Sequence, residues 1–129
     1  MAERRYRVFV YGTLLTGEDN HPIAAPYVRD VRPGKVKGRL YNVGLYPALV
    51  LGEEGEVEGE WLTVTEEGLK AMDELEDYGE GRDDNEYERV WVRDVCQPLE
   101  GYVYVYRPEK AVGLPLIPSG SWRRRKENM

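Results

Sequence analysis

The sequence holds a single cysteine, Cys96, and a single histidine, His21, among 129 residues. One cysteine cannot close an intrachain disulfide or furnish the thiolate cluster of a zinc or iron–sulfur centre. A reducing cytoplasm suits such a chain. His21 precedes Pro22 in a polar loop. Alone it cannot build a histidine-rich metal site or, with no serine or cysteine beside it, a nucleophilic triad. Proton chemistry here therefore falls to carboxylates or tyrosines. Nowhere do about 18 consecutive apolar residues occur, and the opening Met-Ala-Glu-Arg-Arg-Tyr-Arg lacks the apolar core of a signal peptide. Neither a membrane span nor export by such a signal is expected. An excess of positive charge is missing too. The formal charge of −6 opposes nucleic acid binding, which neutralises phosphates with a basic surface. The one basic run, Arg123-Arg124-Arg125-Lys126, reads as a solvated end.

What is present is a globular composition, 41% hydrophobic and 33% charged with ten Tyr and three Trp, too rich in aromatics for a disordered chain. The length suits one domain over residues 1–129, with a flexible basic tail from about 123. Tyr6 to Tyr11 alternates Val8 and Val10 against Phe9 and Tyr11 and stops at Gly12, the pattern of a first strand. Ile23-Ala24-Ala25 suits one or two helical turns within a polar stretch. Lys35–Tyr41 reads as a strand, Gly44–Pro47 as a turn and Ala48–Leu51 as another strand. Gly52-Glu53-Glu54-Gly55 then reads as a turn that makes Val57–Val64 the hairpin partner of Ala48–Leu51. Glu88–Val95 and Gly101–Arg107 complete the strands. Several strands at short spacing around one inserted helix predict an α+β fold. Its mixed, mostly antiparallel sheet curls into a partial barrel, with one main helix and short extra helices.

The main helix starts at Thr65, a suitable N-cap, places Glu66 and Glu67 in the positive first turn, and runs to about Glu76. On a 100° wheel Leu69, Met72 and Leu75 form the apolar stripe. Glu76 falls within it, seven residues from Leu69 and four from Met72. Glu67 and Glu74 face away and Asp73 lies at the edge, so Glu76 is the acid aimed inward. Desolvation raises the pKa of such a carboxylate toward the range useful for accepting and returning a proton near neutrality. Two plainer fates stay open: Glu76 swings outward as the last turn frays, or it pairs with an arginine such as Arg89.

Tyr11-Gly12-Thr13-Leu14 follows the first strand. Gly12 permits backbone angles that turn successive N–H groups toward one point, a nest for a carboxylate or a developing oxyanion, with the Thr13 hydroxyl as a further donor. An ordinary strand-ending turn has the same sequence.

Taken jointly, a strand ending in Tyr-Gly-Thr-Leu and a helix ending in Met72-Asp73-x-x-Glu76 resemble the gamma-glutamylcyclotransferase-like (AIG2-like) family. Gly38-x-Leu40-Tyr41-x-x-Gly44-x-Tyr46-Pro47, Val57-x-Gly59-Glu60, Tyr87-x-Arg89 and Ser119-Gly120-x-Trp122 match in order. The match is especially to small bacterial members and gamma-glutamylamine cyclotransferases. The resemblance implies a barrel-like α+β fold with a cavity where the Tyr11–Leu14 loop faces Glu76, and Tyr46 and Tyr87 as pocket walls. It also implies a reaction in which a small gamma-glutamyl amide cyclises to 5-oxoproline and releases its amine. The nucleophile is then the substrate's own α-amine, so no metal or cofactor is required. Glu76 would shuttle the proton, and the amides of Gly12, Thr13 and Leu14 would grip the glutamyl moiety.

The chain departs from the pattern at Met72 for Leu, at Asp77 where Gly commonly follows the acid, and at Ser121 before Trp122. It also carries an acidic stretch, Asp77–Glu86, expected to form a mobile flap whose charge favours cationic amines. A non-catalytic pocket domain that binds an amino-acid-like metabolite or a protein partner is the competing reading. Monomer and homodimer are both open.

Overall fold

Three consecutive buried residues, Val8, Phe9 and Val10, place β1 (Arg5–Val10) inside the molecule rather than at an edge. The computed structural model describes residues 3–125. After β1 come a short helix α1 (His21–Ala24), β2 (Val28–Asn42), β3 (Pro47–Thr65), helix α2 (Glu66–Leu75), β4 (Glu88–Arg93) and β5 (Glu100–Val105). They form one five-stranded sheet in the order β2-β3-β1-β5-β4. Only the β1–β5 pair is parallel; β1–β3, β2–β3 and β4–β5 are antiparallel. The arrangement is the mixed, mostly antiparallel α+β fold expected, and the sheet does not close into a full barrel. Its curl brings the chain just past β4 to the opposite edge, where the Val95 N–H donates to the Lys35 carbonyl at 3.0 Å.

One strand assignment is corrected. Val57–Val64 is not the hairpin partner of Ala48–Leu51; both belong to β3 and both pair with β2. Leu51 lies opposite Gly38 and Glu56 opposite Lys37, so residues 52–55 are an extra loop within the strand. Gly55, at φ +83°, makes the return. The Gly-Glu-Glu-Gly turn signal was genuine, but it produced a bulge, because the fifteen-residue β2 is long enough to pair with both halves. The last two strands are also shorter than their sequence patterns. Asp94 ends β4 by accepting the Cys96 and Gln97 amides on Oδ1, at 2.9 and 3.0 Å.

Helix α2 begins and ends by identifiable chemistry. The Thr65 hydroxyl accepts the Gly68 N–H at 3.2 Å, as an N-cap should. At the other end Tyr78 N–H reaches the Asp73 carbonyl at 2.9 Å and Asp77 N–H the Glu74 carbonyl at 3.2 Å. This is the paired hydrogen bonding of a Schellman motif. It fixes Glu76 as the capping residue of the helix, with its own N–H on the Met72 carbonyl at 3.0 Å, so the last turn does not fray. The residue after the cap must be left-handed, and Asp77 has φ +52°. Asp77→Gly is therefore expected to raise stability by about 0.5–1 kcal/mol, less the small contribution of the exposed Asp77–Arg82 pair at 3.0 Å. Urea midpoints of the two proteins measure it.

Trp122 is buried in the core as its type suggests. Of the basic run, Arg123 donates to the Thr16 carbonyl, Arg124 pairs with Glu58 at 2.6 Å, and Arg125 lies 3.9 Å from the centre of the Trp122 ring. Lys126 and the tail beyond it lie outside the described residues.

Candidate active site

The end of β1, the end of α2 and the start of β3 converge on a cavity of about 240 Å³. Glu76, Tyr11, Gly12, Thr13, Leu14, Tyr46 and Tyr87 all line it. Seven residues spread over 77 positions of sequence thus share one space.

The loop after β1 is held by its carbonyl side. The Gly12 carbonyl accepts from Leu15 N–H at 3.1 Å, and that of Thr13 from Asn20 N–H at 2.9 Å. The Leu14 carbonyl bonds His21 Nδ1 at 2.8 Å. The amides of Gly12, Thr13 and Leu14, by contrast, donate to no protein acceptor among the described residues. Three N–H groups left over beside a cavity are the donors an anion needs. Asn20 Nδ2 donates to Thr13 Oγ1 at 2.9 Å, which leaves the Thr13 hydroxyl proton available. The reason for glycine at position 12 differs from the one expected. Gly12 does not have positive φ; instead, a Cβ there would meet the Pro47 ring at 2.6 Å. The glycine is needed for close approach of the loop to the start of β3.

Tyr11 lines the cavity but its hydroxyl is committed to the framework. It donates to the Tyr104 carbonyl at 2.6 Å and accepts the Leu49 N–H at 3.3 Å. Tyr87 likewise donates to the Pro47 carbonyl at 2.7 Å. Burial pushes both phenols up from their ordinary pKa, so both stay neutral across the physiological range.

Glu76 reaches the cavity from the cap of α2. Its pKa is raised to about 7, first by loss of hydration and second by the negative charge of Glu86. It is not paired with Arg89. That arginine binds Asp73 instead, Nη1 to Oδ2 at 2.6 Å, while the Tyr104 hydroxyl donates to Asp73 Oδ1 at 2.6 Å. Arg89 is no exposed strand charge, since its side chain is 14% exposed and its guanidinium also packs on the Tyr78 and Tyr102 rings. Two expectations change here. Asp73 joins Glu76 in facing inward, and because Asp73 takes the Arg89 guanidinium, Glu76 is left without a counter-ion among the described residues. The i, i+3 spacing of Asp73 and Glu76 was the signal for this, as both lie on one side of the helix.

The sequence reading missed Asn20, Tyr104 and Glu86 as cavity residues. The stretch from Asp77 is pinned by Asn85, whose side chain bonds Gly79 N–H at 2.9 Å and Gly79 carbonyl at 3.1 Å. This brings Glu86 to the wall, where Oε1 accepts from Tyr106 at 2.5 Å and Tyr46 at 3.3 Å. No local pattern separates Glu86 from Asp83 and Asp84, its acidic neighbours in the same loop.

No group of three or more metal-ligating side chains is assembled among the described residues, and no helix there is long and apolar enough to cross a membrane. Residues 8–124 match the family described as gamma-glutamyl cyclotransferase, AIG2-like. A Halalkalibacterium halodurans protein bearing the gamma-glutamylcyclotransferase name is 43% identical over 95 residues, 72% of this chain and 85% of that one. The gamma-L-glutamyl-butirosin B gamma-glutamyl cyclotransferase of Niallia circulans is 41% identical over 107 residues, covering 77% of this chain and 65% of the relative. Among solved structures, the mouse AIG2-like protein superposes with a TM-score of 0.70 at 25% identity, over 88% of this chain and 86% of the other. Fold and sequence agree, and the chain belongs to the gamma-glutamyl cyclotransferase, AIG2-like family.

Proposed function

We propose that the protein cyclises a small gamma-glutamyl amide to 5-oxoproline and free amine in the cytoplasm, with Glu76 as general acid and base and the Gly12, Thr13 and Leu14 amides as the anion cradle. The observation that carries this reading is a carboxylate and three amides, unpaired among the described residues, lining one cavity in a chain of this family. The substrate's α-amine attacks its own γ-carbonyl carbon, forming the ring C–N bond. The amine proton passes to a Glu76 carboxylate oxygen. The tetrahedral intermediate then collapses, the exocyclic C–N bond breaks, and Glu76 returns the proton to the departing nitrogen. Atoms balance with no water and no redox partner, so the chemistry demands no cofactor.

The cradle contributes by holding negative charge where it resides or develops, which backbone donors do without reorganising; one such donor was worth about 3–4 kcal/mol in another enzyme. Tyr46 and Tyr87 wall the pocket against water.

Two measurements test the reading. Incubation with a panel of gamma-glutamyl amines, amino acids and peptides is expected to release 5-oxoproline, detected by mass spectrometry; silence across the panel sinks it in favour of a metabolite- or partner-binding domain. The pH profile is the second. Attack requires ionised Glu76, whose pKa is about 7, so kcat/KM is expected to fall tenfold per unit as pH drops below about 7. An acid limb at the ordinary carboxylate pKa instead would exclude Glu76 as the group that titrates.

A further inference from the structure

We propose that Glu86 is the specificity-determining residue of this cavity, its carboxylate and the surrounding tyrosine rings taking an alkylammonium group of the bound amide. The inference rests on the cyclotransferase reading for the kind of ligand and on separate observations for the residue. Glu86 lines the cavity. Two phenol donors, from Tyr106 and Tyr46, fix Oε1 in place. Oε2 accepts no hydrogen bond among the described residues; its nearest partner is Lys110 Nζ at 3.6 Å. A carboxylate with one oxygen anchored and the other held only by an ion pair at 3.6 Å, too long for a hydrogen bond, is oriented for a ligand donor, and charge-assisted bonds are the strong ones.

The rings supply the rest. Tyr87 stands 4.8 Å from Tyr106 and 6.3 Å from Tyr46, centre to centre, so the two rings whose hydroxyls hold the acid belong to one tyrosine cluster. Aromatic faces beside a carboxylate recognise cations. The molecule already shows the fit with its own side chain: the Lys110 ammonium lies 4.9 Å from the centre of the Tyr106 ring while it donates to the Glu86 carbonyl at 2.7 Å and the Asn85 carbonyl at 3.2 Å. Those two carbonyls take Lys110's hydrogen bonds, and its ammonium stands in an ion pair 3.6 Å from Oε2.

The ammonium has two possible sources. One is the α-ammonium that every gamma-glutamyl amide carries; the other is a second ammonium on the departing amine. Gamma-glutamyl-1,5-diaminopentane and gamma-glutamyl-pentylamine share the first and differ only in the second.

Binding of both is measured by calorimetry on Glu76→Gln, so that no turnover intervenes, and on the same protein carrying Glu86→Gln. The glutamine keeps an oxygen for Tyr106 and removes only the charge. A tenfold or greater loss of affinity for the diamine amide alone assigns the departing amine; the same loss for both ligands assigns the α-ammonium. Unchanged affinity for both, or binding of neither, overturns the proposal. Glu86→Asp provides the control for a merely structural role, because it keeps the charge but shortens the reach to both tyrosines. It must bind the affected ligand more tightly than Glu86→Gln does, and equal or weaker binding also overturns the proposal. Release of 5-oxoproline by the unmodified protein is scored separately, so failure of the reaction and failure of the Glu86 assignment give different results.

Discussion

Glu76→Gln is expected to lower turnover by about 10²–10⁴-fold, the usual contribution of a positioned acid–base group, while the protein stays folded and still binds its ligand. The substitution keeps the shape of the side chain and removes the ability to take up a proton from the α-amine. Full activity in the variant would exclude Glu76 as the proton shuttle. The same substitution makes a second, opposite prediction for stability. A pKa of about 7 against an ordinary 4.5 means that the folded protein favours the protonated acid. That stabilisation is complete below about pH 4.5, is lost as pH rises toward 7, and is absent above it. The wild type thus loses about 3 kcal/mol across this window on Glu76's account. Glutamine has no proton to lose, so Glu76→Gln should gain on the wild type by up to that amount between pH 4.5 and pH 8. Urea titrations at the two pH values measure the difference. Lost activity with gained stability is the pattern of a site whose charge is held against its preference.

Asp73→Ala is expected to destabilise the fold by about 3–5 kcal/mol, because it leaves the Arg89 guanidinium largely buried without its partner. Arg89 is 14% exposed and Asp73 20% exposed, and their contact is 2.6 Å. The Tyr104 hydroxyl loses its acceptor at the same time. Replacing Arg89 by Met in the same protein should recover a large part of the loss, since the unpaired charge is then gone. A loss below 1 kcal/mol for Asp73→Ala alone would show that water reaches Arg89 and that the pair is ornamental. The pair also matters for the site. It ties the last turn of α2 to β4 and β5, and Glu76 follows Asp73 by three residues. Because Asp73 occupies the Arg89 guanidinium, Glu76 keeps its raised proton affinity. A residue outside the reacting centre thereby sets the condition under which Glu76 is useful.

Asp77→Gly tests the same turn from the other side. The chain ends α2 with a left-handed residue that is not glycine. The departure from the family pattern therefore carries a conformational cost at the position that orients Glu76, offset in part by the Arg82 contact.

The sequence by itself determined a good deal, wherever the cause is local. Thr65 with its first-turn acids and the Leu69-Met72-Leu75 stripe specify α2, because capping and a 3.6-residue period act within one helix. The same wheel put Glu76 on the inner side. The alternation through Val8 to Tyr11 specified β1 and its break at Gly12. Tertiary structure decided the rest. Whether residues 52–55 turn a hairpin or bulge from a strand depends on the length of β2, which their own glycines do not encode. Whether Arg89 neutralises Glu76 or Asp73 depends on where β4 lies against the helix. That the loop after β1 leaves three amides unpaired depends on Asn20 and His21 taking two of its carbonyls, while the third is satisfied within the turn. Glu86 reaches the cavity because Asn85 and two tyrosines, Tyr46 just before β3 and Tyr106 just after β5, draw it there. Each of these is a competition between partners distant in sequence, and only the folded chain brings the competitors within hydrogen-bonding distance.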